Sequence, residues 1–300
     1  MVSLGDKIKE NRLNKGLTQS ELAEGICTQA SISNLENNTS TPTLMILLTI
    51  GKRLNMDFSE LSDYANEYDN KNTNIFEQVR LLRSQFKDAE ARDLLVKNIN
   101  KDQLTTAFEL KNYYYYLGIT SLIGYEKYSD AHYNFDLALS VDTGQQLDFL
   151  DILATNGIGL TYFMIEEEEK EKALTYFEKS LTQLDDFMNQ SSSLLSFKDN
   201  LEIMKLYYTT AKFYSEIGEY KKALNLCDLG IILQKSYHVN YDLERLYYEK
   251  GFNLVKLGDL KKARDFYGLA AALAKMDENE LVLEIIRENM NKFDLGPCPY

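Results

Sequence analysis

The side chains best suited to recognition chemistry in this chain lie near its N-terminus, within residues 18–38. They are small or carry amides, and comprise Gln29, Ala30, Ser31, Ser33 and Asn34. Gln and Asn can pair through two hydrogen bonds with the edge of adenine, and Ser can donate or accept one bond, so the set suits a helix in the major groove of DNA. The alternative is an ordinary helical hairpin with a solvated polar face, because helix pairs joined by a turn are common.

Two short helices are predicted to position these side chains. Thr18 is a suitable N-cap for the first helix, and Glu21 completes a capping box. Thr28 is a suitable N-cap for the second helix, whose buried face is formed by Ile32 and Leu35 at helical spacing. The pattern therefore predicts a helix, a tight turn and a second helix that carries the polar face.

Length and composition limit the architecture of the whole chain. Three hundred residues exceed one comfortable core, which favours two domains or one domain followed by repeats. The prolines are Pro42, Pro297 and Pro299, so none interrupts residues 43–296, and no segment alternates convincingly enough to predict a strand. We expect an all-α protein.

The net charge of −13 is unevenly distributed. Residues 1–56 contain six basic and five acidic residues, a net charge of +1, which leaves −14 for the rest of the chain. A near-neutral N-terminal part must bind DNA mainly through helix N-termini and polar groups. The acidic remainder repels non-specific DNA, which should sharpen selectivity.

Several functional classes are disfavoured by the sequence. We see no secretory signal and no apolar stretch of bilayer length, and the three cysteines are far apart, which indicates reduced thiols and a cytoplasmic protein. No nucleophile is accompanied by a base, and no phosphate-binding loop or ligand cluster is present. We expect no catalysis, no metal and no cofactor.

The N-terminal residues 1–65 resemble the five-helix Cro/C1-type helix-turn-helix domain. The resemblance rests on residues 18–38, on Ile8, Arg12 and Leu17 before them, and on the apolar run from Pro42 to Leu54 after them. The shortened turn from Gly25 to Gln29 is similar to that of the PlcR-like branch of the RNPP family, the peptide-pheromone receptors of Gram-positive bacteria. The resemblance implies a DNA-binding transcription regulator used in quorum sensing.

This resemblance implies a role for each matching residue. Contacts to DNA are expected from Lys15, Gln19, Thr28, Gln29, Ala30, Ser31, Ser33, Asn34, Asn37, Asn38 and Thr39. Arg12 and Glu36 match a partly buried ion pair that joins the first helix to the recognition helix; the alternative is two unrelated surface charges. A fifth helix with Phe58, Leu61 and Tyr64 and a polar linker at 66–74 are expected to follow.

The sequence repeats itself in residues 75–300. Similar segments are centred on Ala89, Ala131, Ala173, Ala223 and Ala263, at spacings of 42, 42, 50 and 40 residues. A small residue at each helix crossing, with aromatic residues on either side, is typical of stacked helix pairs. The segments resemble degenerate tetratricopeptide repeats, which implies a right-handed superhelix of about five tetratricopeptide-like helix pairs whose first helices line an inner groove.

A concave helical array without catalytic groups usually binds an extended peptide. In the receptors that this chain resembles, Asn side chains on inner helices hold the peptide backbone, each giving and accepting one bond. Asn156 matches the first such position, and Thr209 stands where a second Asn would be expected.

The two ends of the peptide site are also implied by position. Basic side chains at Arg80, Arg83 and Lys87 could meet a peptide carboxylate, or could simply form a solvated helix face. Tyr248 and Glu249 lie where relatives close the far end of the groove, and Glu249 would favour a positive or hydrogen-donating group there.

The expected partners follow from this organisation. A single recognition helix reads few base pairs, so a homodimer on a palindromic operator in double-stranded DNA is expected, together with a short signalling peptide. A different reading stays open, in which the repeats are a scaffold that binds and inhibits a partner protein and the N-terminal domain is an interaction module.

Overall fold

The computed structural model describes residues 4–37, 44–56, 71–104, 106–143, 147–165, 169–190, 197–237 and 243–299. Within these ranges the chain forms fifteen α-helices, one short 3₁₀-helix at Lys101–Gln103 and no strand, which confirms the all-α prediction. The chain divides into two compact units, Met1–Glu77 and Gln78–Tyr300.

Helices α1 to α4 of the first unit enclose a small apolar core. Their bounds are α1 Leu4–Asn14, α2 Gln19–Ala23, α3 Gln29–Glu36 and α4 Leu44–Leu54. The core consists of Ile8, Leu22, Ala23, Ile32, Leu35, Leu47, Ile50 and Leu54. Burial of this apolar surface is the main force that packs the α2–α3 pair against α1 and α4. The predicted fifth helix, with Phe58, Leu61 and Tyr64, lies outside the described residues.

Local sequence determines where α2 and α3 begin. The Thr18 hydroxyl oxygen accepts the backbone N–H of Glu21 at 3.2 Å, and the Glu21 carboxylate accepts the backbone N–H of Thr18 at 2.7 Å, so the predicted capping box is confirmed. Thr28 caps α3 by accepting a backbone N–H at 3.2 Å. After α1 the chain turns at Gly16, whose φ of +69° is a left-handed conformation that glycine adopts without steric cost.

The boundary between the two units falls inside helix α5, Lys71–Ser84. This helix begins before the predicted polar linker ends, since residues 71–74 are helical, whereas 66–70 lie outside the described residues. The polar start of α5 is continuous with buried apolar positions at Ile75, Phe76 and Val79. Once a helix is nucleated, each added residue gains a backbone hydrogen bond, so the helix extends into the polar residues before them.

The second unit continues as a succession of antiparallel helices. Their bounds are α6 Asp88–Asn98, α7 Ala107–Tyr125, α8 Tyr128–Ser140, α9 Phe149–Ile165, α10 Lys170–Gln190, α11 Phe197–Glu216, α12 Tyr220–Tyr237, α13 Leu243–Lys256, α14 Leu260–Met276 and α15 Glu280–Lys292. In chain order α5 to α14 make five consecutive pairs, of which α7–α8, α9–α10, α11–α12 and α13–α14 are in extensive contact, and α15 follows them. The first helices of successive pairs contact one another, α7 with α9, α9 with α11 and α11 with α13. None of the described helices is both long and apolar enough to cross a bilayer.

The repeated alanines lie where helices cross closely. Ala131, Ala173, Ala223 and Ala263 are fully buried, whereas Ala89 is only partly buried. Large aromatic side chains fill the space beside them, including Phe135, Phe177 and Tyr267, which are also fully buried. This alternation of small and large residues lets neighbouring helices interlock, so each first helix is held at a constant position relative to the next. The fold thereby brings the first helices of all pairs to one side.

Candidate functional site

The polar face predicted for α3 faces solvent. Gln29, Ala30 and Asn34 are exposed, and Ser31 and Ser33 are partly exposed. The opposite face of the same helix is buried in the core through Ile32 and Leu35. The helix is therefore anchored by its apolar side and presents amide and hydroxyl groups outward.

A chain of hydrogen bonds connects this exposed face to a buried ion pair. The Arg12 guanidinium donates to both carboxylate oxygens of Glu36, from Nε at 2.5 Å and from Nη2 at 2.8 Å. Gln19 Nε2 donates to Glu36 Oε2 at 2.9 Å, and Gln29 Nε2 donates to Gln19 Oε1 at 2.7 Å. The first residue of α3 is thus connected through α2 to a charge pair between α1 and the end of α3.

The ion pair at the end of this chain is firmly ionised. Burial raises the pKa of the Glu36 carboxyl, but the hydrogen bonds from Arg12 and Gln19 outweigh burial and hold the pKa below its ordinary value. Arg12 also donates to the backbone carbonyl oxygen of Leu17 at 2.8 Å, which ties the turn after α1 to the same pair. A charged Glu36 can act only as an acceptor, so Gln19 must turn its NH₂ group toward Glu36 and its oxygen toward Gln29.

This polarity has a consequence for Gln29. One hydrogen of its amide nitrogen is used on Gln19, which fixes the direction of the side chain. The second hydrogen and the amide oxygen are the pair of groups that match the N7 acceptor and N6 donor of adenine. The arrangement can therefore read an adenine edge with a side chain that is already oriented.

The remaining predicted DNA contacts surround α3. Lys15 is exposed, and its Nζ donates to the carbonyl oxygen of Arg53 at 2.8 Å, which holds the cation beside the C-terminal end of α4. Thr28 is exposed at the start of α3, and Asn37 is the residue that ends it. Asn38 and Thr39 lie outside the described residues.

In the second unit, the first helices of all five pairs line one groove that encloses about 210 Å³. Its lining residues are Arg83, Phe86, Asp88, Tyr115, Ile119, Ile123, Leu153, Asn156, Gly157, Leu160, Glu202, Lys205, Leu206, Tyr208, Thr209 and Arg245. The walls are mostly apolar or aromatic, and a few polar groups are placed among them. That combination is typical of ligand sites in proteins.

Asn156 and Thr209 meet in this groove. The Asn156 amide nitrogen donates to the hydroxyl oxygens of Ser180 at 3.0 Å and Thr210 at 3.1 Å, and its oxygen accepts from the Thr209 hydroxyl at 3.5 Å. Both amide hydrogens are therefore used within the repeat unit. Asn156 offers the groove an acceptor for a backbone N–H, rather than the donor and acceptor that the resemblance implies.

Of the three predicted cations, only Arg83 lines the groove. It is 7% exposed and forms ion pairs with Asp88 at 3.1 Å and with Glu202 at 3.2 Å. Arg80 is not among the lining residues and donates to the hydroxyl oxygen of Tyr116. Lys87 is exposed beside α6. The sequence could not show that Arg83 already has acidic partners, because Glu202 follows it by 119 residues.

The structure does not bring Tyr248 and Glu249 to the groove. Tyr248 accepts a hydrogen bond from Asn289 of α15 at 2.9 Å. Glu249 is 5% exposed and accepts hydrogen bonds from Ser215 of α11 and from Asn253 at 3.2 Å. These bonds do not offset the loss of hydration, so burial raises the pKa of the Glu249 carboxyl. Helix α13 instead reaches the groove through Arg245, about one helical turn before Tyr248.

Seven groove residues that carry charge or aromatic rings were not predicted from the sequence as site residues: Phe86, Asp88, Tyr115, Glu202, Lys205, Tyr208 and Arg245. Burial raises the pKa of Glu202, but the charges of Lys205 and Arg83 outweigh burial and bring it to about 2. A usable signal was present, since Glu202 and Lys205 are three residues apart on a predicted inner helix and so share a face.

Part of the first unit matches a known protein family. Residues 8–61 match the family described as Helix-turn-helix, so the first unit carries a DNA-binding domain of that class. Comparison with curated protein sequences gives no match.

Three solved structures share the fold over nearly the whole chain. PlcR of Bacillus thuringiensis, in complex with the peptide PapR7 and DNA, gives a TM-score of 0.65 at 21% identity and covers 95% of this chain and 99% of its own. ComR of S. thermophilus, in complex with DNA and its signalling peptide ComS, gives 0.53 at 16% and covers 97% and 100%. The SHP pheromone receptor Rgg2 of Streptococcus dysgalactiae gives 0.52 at 16% and covers 97% and 99%. The likeness establishes the fold, a helix-turn-helix domain followed by a helical repeat domain, as predicted.

Proposed function

We propose that this chain is a cytoplasmic transcription regulator of the RNPP type, which binds a palindromic operator as a homodimer and is controlled by a short signalling peptide held in the groove. The observation that carries the proposal is the groove itself, lined by the first helices of five consecutive pairs in a chain that begins with a helix-turn-helix domain. The three similar structures support it by their own descriptions, since PlcR is in complex with a peptide and DNA, ComR is in complex with DNA and its signalling peptide, and Rgg2 is a pheromone receptor.

DNA reading is assigned to the exposed face of α3. Gln29 pairs with an adenine edge, and Asn34, which is exposed five residues further along α3, reads a neighbouring base. Lys15 and the N-terminal end of α3 contact phosphates, which fix the register but carry no sequence information. Because the N-terminal domain carries almost no net charge, one copy makes only a few contacts with phosphates. A second copy in a two-fold dimer supplies a matching set.

The ligand is assigned to the groove by its shape and polarity. An extended peptide carries apolar side chains for walls such as Ile119, Leu153 and Leu206, and backbone N–H groups for the Asn156 oxygen. Five to eight residues are expected, because a peptide must reach from the first pair to the last to sense their relative position. A ligand that contacts distant repeats binds one curvature of the repeat domain more tightly than another. This preference can be transmitted to the two DNA-binding domains of the dimer.

Two titrations test the proposal. Operator sequences are first selected with the full chain from random duplexes, and synthetic peptides of five to eight residues are then titrated calorimetrically with and without the selected operator. A tenfold change in peptide affinity corresponds to about 1.4 kcal/mol of coupling, and operator affinity must change by the same factor because linkage is reciprocal. Equal peptide affinities in the two titrations would rule out control of DNA binding by the peptide.

A matched pair of variants locates the peptide. Asn156→Ala should weaken peptide binding and leave peptide-free operator binding unchanged. Asn98→Ala removes an amide on α6 that bonds the carbonyl oxygen of Leu94 and does not line the groove, so it should change neither. Failure of the full chain to select any DNA sequence would favour the alternative, a repeat scaffold that inhibits a partner protein.

A further inference from the structure

Two contacts cross the groove and join the first helix pair to the fourth and fifth pairs. Arg83, near the end of α5, pairs with Glu202 of α11, with Nη1 3.2 Å from both carboxylate oxygens. Phe86, in the turn after α5, lies under Arg245 of α13, whose guanidinium carbon is 4.0 Å from the ring centroid. Neither contact follows from the stacking of neighbouring pairs, because the partners are three and four pairs apart.

The turn at Phe86 belongs to a series of left-handed turns along the array. Phe86 has a φ of +58°, and the equivalent positions before α8, α12, α14 and α15 are occupied by Glu126, Gly218, Gly258 and Glu278, with φ of +52°, +83°, +84° and +54°. At this position the first pair places an aromatic side chain. Phe86 is 53% exposed, and its ring lies against the Arg245 guanidinium.

The pocket beside these contacts is small for the proposed ligand. Its volume is about 210 Å³, whereas sites for drug-sized ligands have volumes of about 300–1,000 Å³. A peptide of five to eight residues is larger than such a ligand. A peptide of this length therefore needs more room than the pocket offers while both contacts are present.

We propose that Arg83–Glu202 and Phe86–Arg245 form a clasp that holds the repeat unit closed, and that the clasp must open before an extended peptide can enter. The clasp is a property of the chain itself, whereas its role as a gate for peptide rests on the proposed function. The two contacts hold the first helix pair against the fourth and fifth pairs, so the repeat unit cannot straighten while both contacts persist.

The distribution of charge makes opening reversible. Arg83 keeps Asp88 as a partner at 3.1 Å, on the same side of the groove. Glu202 keeps Lys205, three residues away on the same helix at 3.7 Å. Separation of the first pair from the fourth therefore leaves each charge with an opposite charge beside it. This arrangement avoids the isolated buried charge that makes most buried ion pairs costly to break.

A distance measurement on the full, unliganded chain tests the clasp. Nitroxide labels are placed at the exposed positions Lys97 of α6 and Lys261 of α14, after substitution of Cys27 and Cys298 by Ser; Cys227 is fully buried and stays. Pulsed electron resonance then reports the separation of the first and fifth pairs. Binding of the dye anilinonaphthalene sulfonate reports access to the apolar walls.

The expected result is a longer and broader label distance, with increased dye fluorescence, for Phe86→Ala and for Arg245→Gln. Arg245→Lys should retain the parent distance, because an ammonium also binds an aromatic face. Glu202→Gln should act in the same direction as Phe86→Ala. Its control is Glu178→Gln, which removes an exposed ion pair with Lys222 that does not cross the groove, and no shift is expected there.

Unchanged distances and dye fluorescence in folded Phe86→Ala and Arg245→Gln would overturn the clasp. These two sites are partly exposed, so they remain informative even if Glu202→Gln unfolds the chain. No peptide or DNA is present in either measurement. A negative result therefore rejects the clasp without bearing on the proposed function, and absence of peptide binding leaves the clasp measurements valid.

Discussion

The amide nitrogen of Gln29 lies 2.7 Å from the amide oxygen of Gln19, so this exposed side chain at the start of α3 is held by α2. Gln19 in turn donates to Glu36, which is paired with Arg12. The direction of the Gln29 side chain and the packing of α1 against α3 are therefore coupled through three hydrogen bonds.

Replacement of Gln29 by Ala should cost about 1–3 kcal/mol at the selected operator and relax the preference at one base position. Gln19→Ala should cause a smaller loss at the same position, because Gln29 remains but is no longer oriented. Operator affinity measured by fluorescence anisotropy on a set of single-base variants checks both. Lys15→Ala serves as the control, since loss of a phosphate contact should weaken all sequences alike and lower the salt slope by about 1. An unaltered base preference in Gln29→Ala would refute the assigned reading role.

Loss of the buried ion pair should destabilise the first unit strongly. Glu36→Ala leaves Arg12 buried without its acid, and removal of one partner of such a pair costs about 3–5 kcal/mol. The double change Arg12→Met with Glu36→Leu should recover much of that loss, because apolar side chains of similar volume need no partner. Thermal unfolding followed by circular dichroism measures both, and equal midpoints for the parent and Glu36→Ala would contradict the prediction.

The Arg12–Glu36 ion pair should also make the stability of the first unit depend on pH. The pKa of Glu36 is lower in the folded chain than its ordinary value of 4.5, so its contribution to stability is fully present above 4.5 and is lost as pH falls through the folded pKa. The difference in midpoint between the parent and Glu36→Ala should therefore shrink on acidification below that value.

Glu249 should show the opposite dependence, because burial raises its pKa in the folded chain. A group with a raised pKa contributes stability below its unfolded pKa and loses it as pH rises through the folded value. Glu249→Gln keeps the acceptor for Ser215 and Asn253 but carries no charge. We expect this variant to melt above the parent at pH 7 and to lose the advantage near pH 4. A lower midpoint for Glu249→Gln at pH 7 would show that the charge itself is needed.

Two helical glycines should respond in opposite directions to substitution by Ala. A Cβ at Gly124 would lie 2.6 Å from the backbone nitrogen of Ala89, so α6 and α7 must separate, at a cost of about 1–3 kcal/mol. At Gly268 no heavy atom lies within 4 Å of the added carbon, and Ala should stabilise the helix by about 0.5–1 kcal/mol. Chemical denaturation of both variants gives the two differences. Equal stabilities would mean that the α6–α7 crossing tolerates expansion.

The sequence by itself determined the elements whose causes are local. Thr18 and Glu21 are three residues apart, and this spacing alone brings each side chain to the other's backbone N–H. The recurrence of alanines such as Ala223 and Ala263 likewise revealed the helix pairs, because helical spacing and a small crossing residue are readable within about forty residues. The polar exposed face of α3 followed from the same periodicity.

Only the tertiary structure decided which of these residues share a site. Arg83 contacts Glu202, and Phe86 contacts Arg245, because the stacking of successive pairs brings the first helix pair beside the fourth and fifth pairs. No spacing between neighbouring residues encodes these contacts. Glu249 was predicted to end the groove, but the packing of α13 on α11 places it under Ser215. Small rotations of each helix accumulate along the array, so the partner of an inner side chain depends on every pair between the two.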